Sequence, residues 1–281
     1  MKKSLLFLFL FSSISILHGN DIDSTLNKWD PALITSVNIS QVAFDNWSKG
    51  GESSLSYTFK IDWMMKYKSE TWSFQNHFKG ELGHTKTGSD ESNITANGMY
   101  NDTVLKGFGL LFKPYMSNLI RSPITNGFDN KKDPKEQIVA LFDPGYVSQS
   151  IGLAFKKTEI FQSRLGFALE ESFSKRFAAK YTDDSKTLDE VETFKFESGI
   201  ESITDVKYEV FDNILYKGKL RLFSGFDRLD IWDVAWDNSF TAKVNSWLNV
   251  NLTYVLVHKI SESVKTQAQE GIQVGVVYSF F

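Results

Sequence analysis

Histidine is the side chain from which hydrolytic sites are most often built, and beyond the first twenty residues this chain offers only His77, His84 and His258. A serine hydrolase needs one of them as a base beside an activated hydroxyl. No Gly-x-Ser-x-Gly elbow or other nucleophile signature accompanies any of the three. His77 shares its parity with Lys79 and Glu81, where a solvated or ion-paired imidazole is the plainer reading, and His84 has the opposite parity. The chain has no cysteine, which removes thiolate metal sites and a disulfide framework. Weak calcium binding by Asp and Glu in a loop stays open; no catalytic, cofactor-binding or metal-ligating residue is expected.

The other constellation is one of charge. Lys217, Lys219 and Arg221 alternate on one side of a segment, and Asp233 and Asp237 alternate on the next. A hairpin turning near Asp227 to Asp230 brings Arg221 close to Asp237. The expected arrangement is a cross-strand ion-pair ladder worth roughly 0.2–1 kcal/mol a pair, with pore selectivity as the functional alternative. The same parity selects Lys60, Asp62, Lys66, His77, Lys79, Glu81, Arg164, Lys195, Glu197, Glu201, Lys207 and Lys243 as further members of one polar face. Acids and bases are nearly balanced there, which argues against strong selectivity.

These side chains must be held by strands. From Leu55 to Tyr67 the odd positions are Leu, Tyr, Phe, Ile, Trp, Met and Tyr, while Ser56, Thr58, Lys60, Asp62 and Lys66 stand between them. That is a period of two, and it runs longer than the five or six residues usual in soluble strands. Trp72, Phe74, Phe78 and Leu82 repeat it, as do Trp232, Val234, Trp236 and Phe240, and then Leu248, Val250, Leu252 and Tyr254. A soluble sandwich alternates too. Strand length, the abundance of Trp, Tyr and Phe on one face, and the persistence of charge on the other favour an antiparallel barrel in lipid, apolar outside and polar within.

Twelve strands are expected near residues 32–44, 53–67, 71–86, 93–103, 107–119, 146–156, 160–171, 192–211, 214–226, 231–245, 248–259 and 270–281. Long connections, including Asn118 to Gly145 and Ser172 to Val191, fall at one end. Short turns near Ser69, Leu105, Lys157, Asn213 and Trp247 fall at the other, as in barrels with long external loops and short periplasmic turns. The segment Asn93 to Thr103 has a thin apolar face, and without it and a neighbour the count is ten. The loop Asn118 to Gly145 is long enough to be functional, and its apolar tail, Ile138 to Phe142, calls for something to pack on: the barrel mouth, the lumen or a partner.

The first nineteen residues read as an export signal, with Lys2 and Lys3 ahead of the apolar Leu5 to Leu17; the alternative is an uncleaved anchor. Residues 20–281 then form one barrel domain. Losing Lys2 and Lys3 from the 31 basic residues leaves 29 against 34 acidic ones, a formal charge of −5. No basic patch of the kind that nucleic-acid binding requires is present. Outside the signal no run of eighteen apolar residues occurs, so a transmembrane helix is excluded.

Two segments carry resemblances. Gln273, Gly275, Tyr278 and Phe280 resemble, in order, the terminal signal read by the barrel-assembly machinery, with Phe281 as one extra residue. The segment Ser40 to Glu52, with Asn46, Trp47, Gly50 and Gly51, resembles the Asn-Trp-x-x-Gly-Gly signature of an outer-membrane family known as domain of unknown function 3078. The resemblance extends to Phe196 to Asp205 and the aromatic end. It implies a barrel in outer-membrane lipid and no activity, so no functional residue carries over. The expected function is a narrow passive route for small hydrophilic solutes. A plugged barrel with a structural or surface-interaction role is the alternative, and a lipid-hydrolysing enzyme is third; the oligomeric state is left open.

Overall fold

The structure, a computed structural model, describes residues 26–44, 52–88, 92–108, 112–129, 132–156, 158, 160–183, 190–260 and 263–279. The export signal, the Asn46 to Gly51 signature and Phe280 lie outside them. Along the described chain run β1 (Trp29–Val42), β2 (Ser54–Lys68), β3 (Trp72–Thr87), β4 (Asn93–Gly107), β5 (Phe112–Ser122), β6 (Gly127–Asp129), β7 (Glu136–Val139) and β8 (Gly145–Lys156). There follow β9 (Phe161–Phe173), a single helical turn α1 (Ala178–Tyr181), β10 (Phe194–Phe211), β11 (Ile214–Gly225), β12 (Asp233–Lys243), β13 (Leu248–His258) and β14 (Gln267–Ser279).

Twelve of these strands close into one antiparallel ring, in the order β1, β14, β13, β12, β11, β10, β9, β8, β5, β4, β3, β2. The seam is the pairing of Ile34–Ile39 with Ser279–Val274. The architecture is therefore a twelve-stranded barrel of the outer-membrane type, and each of the twelve anticipated strands is present. No helix among the described residues is long and apolar enough to cross a membrane; the crossing elements are the strands.

Several boundaries differ from expectation by three residues or more, two of them at β4 and β5. The turn placed near Leu105 comes later, because Leu105 is still paired with Phe74 on one side and Met116 on the other; its side chain continues the outward alternation and the strand runs on to Gly107. Likewise Asn118 to Ser122 belong to β5, so the long connection begins at Pro123. That connection also contains a small hairpin, β6 with β7, which three-residue and four-residue segments are too short to announce.

Side-chain burial is inverted relative to a soluble fold. Ile151 is 59% exposed and Phe211 65%, whereas Glu170 and Glu201 are 1% exposed. Apolar side chains facing out and carboxylates facing in suit a hydrocarbon surround and a polar interior. Backbones also approach closely within the wall. A Cβ on Gly152 would stand 2.2 Å from Leu165 O, and one on the cross-strand partner Gly166 would stand 2.5 Å from both Ile151 O and the Tyr115 hydroxyl. Glycine is required at such an approach.

Gly152→Ala is expected to lower barrel stability by about 1–3 kcal/mol through overpacking. Gly98→Ala, where a Cβ would meet nothing within 4 Å, is expected to leave it unchanged. Urea unfolding from lipid vesicles, followed by tryptophan fluorescence, compares the two.

Candidate functional site in the barrel lumen

Strand pairing puts the selected polar residues on one face. Lys60, Asp62 and Lys66 stand on β2 opposite Glu81, Lys79 and Gln75 on β3, with His77 between the last two. Arg164 is on β9, Lys195 and Glu197 on β10, Lys217, Lys219 and Arg221 on β11, and Asp233, Asp237 and Lys243 on β12. Their shared face is the inner one, since side chains from non-adjacent strands meet there.

One half of the lumen is crossed by buried ions. Near the end that carries the long connections, the carboxylate of Glu170 accepts hydrogen bonds from Arg221 Nη2 at 2.7 Å, Lys259 Nζ at 2.9 Å and Arg121 Nη2 at 3.2 Å. Arg221 Nε also donates to Glu201 at 2.8 Å, and Ser148 Oγ to the same carboxylate at 3.2 Å. Beside them Arg228 pairs with Glu197 at 2.8 Å and Asp233 at 3.4 Å, and Lys195 with Glu197 at 3.0 Å. At mid-height Arg164 holds Asp102 at 2.5 Å, and Lys219 lies 2.9 Å from Asp205 and 3.7 Å from Asp102. In the ring β4 and β11 stand five strands apart out of a possible six, so the contact from Lys219 to Asp102 bridges nearly opposite walls. Leu119, Ile203 and Phe223, all 2% exposed or less, fill the space around these ions.

The expected ladder between β11 and β12 does not form. The backbone partner of Arg221 is Ala235 rather than Asp237. Lys219 does stand opposite Asp237, yet its ammonium turns to Asp205 on the other neighbouring strand and to Asp102 across the lumen. A concave wall brings inward side chains from both neighbours and from the far side within reach, so pairing along one hairpin has competitors. Asp237, Lys79 and Lys217 have no ion-pair partner within 4 Å among the described residues. The residues that hold the network and were not selected are Asp102, Arg121, Glu170, Asp205, Arg228 and Lys259. Glu170 was within reach, because it shares the parity of Arg164. Arg121 and Lys259 stand at strand ends, where parity gives no warning.

The other half of the lumen mixes amides and hydroxyls with charges that are less closely paired. Asn251 Nδ2 donates to Asn38 Oδ1 at 3.1 Å and to Asn249 Oδ1 at 2.9 Å, Thr241 Oγ1 donates to Asn251 Oδ1 at 2.9 Å, and Gln273 Nε2 donates to Thr58 Oγ1 at 3.2 Å. Lys60 and Glu81 are 3.6 Å apart with side chains 31% and 47% exposed, at mid-height of β2 and β3. His77 Nε2 is 2.7 Å from Asp62. At the short-turn end a cavity of about 410 Å³ is lined by residues including Leu215, Thr241, Lys243, Trp247, Asn249 and Val277. Within the terminal motif Gln273 and Gly275 face this half, and Tyr278 faces out. A Cβ on Gly275 would stand 2.4 Å from Asn38 Oδ1 and 2.6 Å from Asn249 Oδ1, so a larger residue there would displace the amide cluster.

The long connection does not enter the lumen in its described part. Asn97 faces outward, as its partner Leu82 does. It accepts from the backbone N–H of Ile124 at 2.9 Å and Thr125 at 3.0 Å, and donates to Thr125 O at 2.8 Å. Ile124 Cδ1 comes within 3.7 Å of a Cβ built on the outward Gly80. Segment 123–127 therefore lies on the outer surface of β3 and β4. At its far end Asp143 clasps the next connection: Oδ1 accepts from Ser174 Oγ at 2.6 Å and Lys175 N at 3.0 Å, and Oδ2 from Arg176 N at 3.0 Å. Burial pushes the Asp143 carboxyl up, but these hydrogen bonds and the Arg176 charge outweigh it and hold the group below its ordinary value.

Glu170→Ala is expected to cost about 3–5 kcal/mol, because the buried Arg221 and Lys259 and the half-buried Arg121 lose their shared counterion; the urea midpoint reads it. The Asp143 clasp gains from ionisation, so its contribution is complete above about pH 4 and is lost as pH falls through the depressed folded value. Amide exchange at Lys175 and Arg176 is expected to be slow at neutral pH, to speed up only in strong acid, and to be fast at neutral pH in Asp143→Ala.

The family described as "Protein of unknown function (DUF3078)" matches residues 39–128, a span that includes the Asn46 to Gly51 signature. The matched residues do not reach Phe196 to Asp205 or the aromatic end. A comparison with curated proteins finds no match. Among solved structures the chain is similar to the COG4313 outer membrane channel from Pseudomonas putida F1, at 9% identity and a TM-score of 0.41, covering 93% of this chain and 99% of that one. It is also similar to the translocator domain of autotransporter NalP from Neisseria meningitidis, at 8% identity and a TM-score of 0.37, covering 88% of this chain and 86% of that one. At such scores these likenesses carry no weight beside the strand pairing, and the resemblance to a described family is confined to residues 39–128.

Proposed function

We propose that the chain is an integral outer-membrane barrel that gives small hydrophilic solutes a narrow, weakly selective passage on one side of its lumen. The observation that carries this reading is the division of the interior. Toward β4, β5 and β8 to β11 the inward ions brace one another, with Glu170, Glu201, Asp102 and Arg164 buried, whereas toward β1 to β3 and β12 to β14 amides and hydroxyls stand among the charges of β2, β3 and β12, with Lys60 and Glu81 solvent-accessible at mid-height. Along that side Asn251 bonds Asn38 and Gln273 bonds Thr58, and the passage would run past these amides. The charges beside it, Lys60, Lys79 and Lys217 against Asp62, Glu81 and Asp237, balance, which suits weak selectivity. Export through the leader and assembly through the terminal motif, with outer-membrane lipid around the apolar face, belong to the same proposal.

A sealed barrel acting through its outer connections is the second reading. The Glu170 brace and the Asp143 clasp, which stiffen the end bearing the long connections, favour it. Lipid hydrolysis has less support: the His77 ring bonds Asp62, and no serine hydroxyl is within hydrogen-bond reach of it among the described residues.

Planar-bilayer recordings of the purified protein separate the readings. Small, steady openings are expected. Glu81→Lys should move the reversal potential in a salt gradient toward anions, and Thr58→Trp should reduce the conductance. No opening at any voltage, together with no solute flux into vesicles carrying the folded protein, would leave the sealed barrel.

A further inference from the structure

The outer face breaks its own rule in one sector. Asn76 on β3 stands opposite Thr103 on β4, Thr103 opposite Asn118 on β5, and Asn118 opposite Gln149 on β8. Asn101 lies beside them, two residues along β4 from Thr103. All five point outward, on the same face as Phe74, Leu105, Met116 and Ile151. Strands in such barrels tilt by about 35–45°, so a row running across four of them climbs obliquely through the apolar belt. Asn76 lies just above the short-turn girdle of Tyr67 and Trp72, whose rings stack at 5.0 Å. Gln149 lies just below the opposite rim.

Part of the row is satisfied within itself. Asn76 Nδ2 donates to Asn101 Oδ1 at 3.0 Å and to Thr103 Oγ1 at 2.8 Å. The side chains of Asn118 and Gln149 have no hydrogen-bond partner among the described residues, and Asn118 is exposed. Acyl chains can supply neither donor nor acceptor, so an amide facing them is unfavourable unless another protein covers it. Of the other outward amides, Asn238 accepts from the Tyr216 hydroxyl at 2.7 Å and Asn97 is bonded to the backbone of Ile124 and Thr125.

We propose that this row is the centre of a dimer interface between two copies of the chain, formed within the membrane. The patch carries no charge. Each amide offers both donor and acceptor, so the row is complementary to itself. A two-fold axis parallel to the barrel axis makes two oblique rows cross near their middle, at Thr103 and Asn118, with Leu105, Met116 and Ile151 packing around the crossing. The described outer face has one such row, which makes the contact isologous and closes it at two copies rather than propagating it. Above the row, segment 123–127 and the exposed Phe128, Leu141 and Phe142 extend the same sector. The proposal is independent of whether the lumen conducts.

The chain has no cysteine, so Asn118→Cys is a clean reporter. In lipid vesicles at low protein density, oxidation is expected to convert Asn118→Cys to a disulfide-linked dimer and to leave Leu252→Cys, on the opposite wall, monomeric. Singly labelled native protein should bleach in two steps. Asn118→Leu with Gln149→Leu should bleach in one step while keeping the compact gel mobility of a folded barrel. Monomeric native protein would overturn the proposal. So would cross-linking of Asn118→Cys in native membranes to a different protein in place of a second copy. If the double variant does not fold, bleaching of the native protein and cross-linking of Asn118→Cys decide alone.

Discussion

The pairing of Ile34–Ile39 with Ser279–Val274 is the contact on which the rest depends. A sheet of eleven or fewer of these strands would present two edges of unpaired N–H and C=O groups, and hydrocarbon offers them nothing. Closure removes the edges and thereby assigns every residue to an inside or an outside. Since side chains alternate, one apolar face and one polar face follow at once, and the even strand count places both ends of the ring at the short-turn end. The residues that could do chemistry are thus gathered by the ring itself, from nine or more strands, with no loop needed to assemble them.

Once gathered, the inward charges must be solvated by one another or by water. The two halves of the lumen take different routes. Glu170 and Asp102 each gather two or three partners, and apolar neighbours such as Ile203 and Phe223 exclude solvent, which makes the attraction strong and the loss of either carboxylate expensive. Around Asn38 and Asn251 the groups are neutral, so little desolvation is at stake and water can remain. Long side chains on the first half reach across a ring of this size, whereas amides on the second half reach only a neighbouring strand or two. Reach therefore separates a braced half from an accessible one.

The strands were legible because period two survives any detail of packing. Leu55 to Tyr67 could be placed to within a residue or two, and even the thin segment Asn93 to Thr103 proved to be a strand. Partner identity was not legible. Arg221 and Asp237 lie on adjacent strands with suitable parity, but curvature gives Arg221 the closer Glu201 and Glu170, and no linear spacing encodes a contact that spans the barrel. The long connection was recognised as unusual, yet its anchor, the outward Asn97, reads in the sequence as one more polar residue on a weak strand. The Asp143 clasp is equally silent, since a carboxylate before proline looks like any turn.

The sector β4, β5 and β8 joins these observations. Among its inward side chains are Val104, Tyr115, Leu119 and Ala154, all buried, and among its outward ones are Asn101, Thr103, Asn118 and Gln149, so the pattern that defines the barrel is interrupted locally on both sides. Those inward apolar side chains pack beside the braced ions and exclude water from them. A polar outer face has no such internal use. The weak alternation at Asn93 to Thr103 thus has two sources: apolar side chains turned in beside the braced ions, and the outward amides and hydroxyl that the proposed dimer contact would cover.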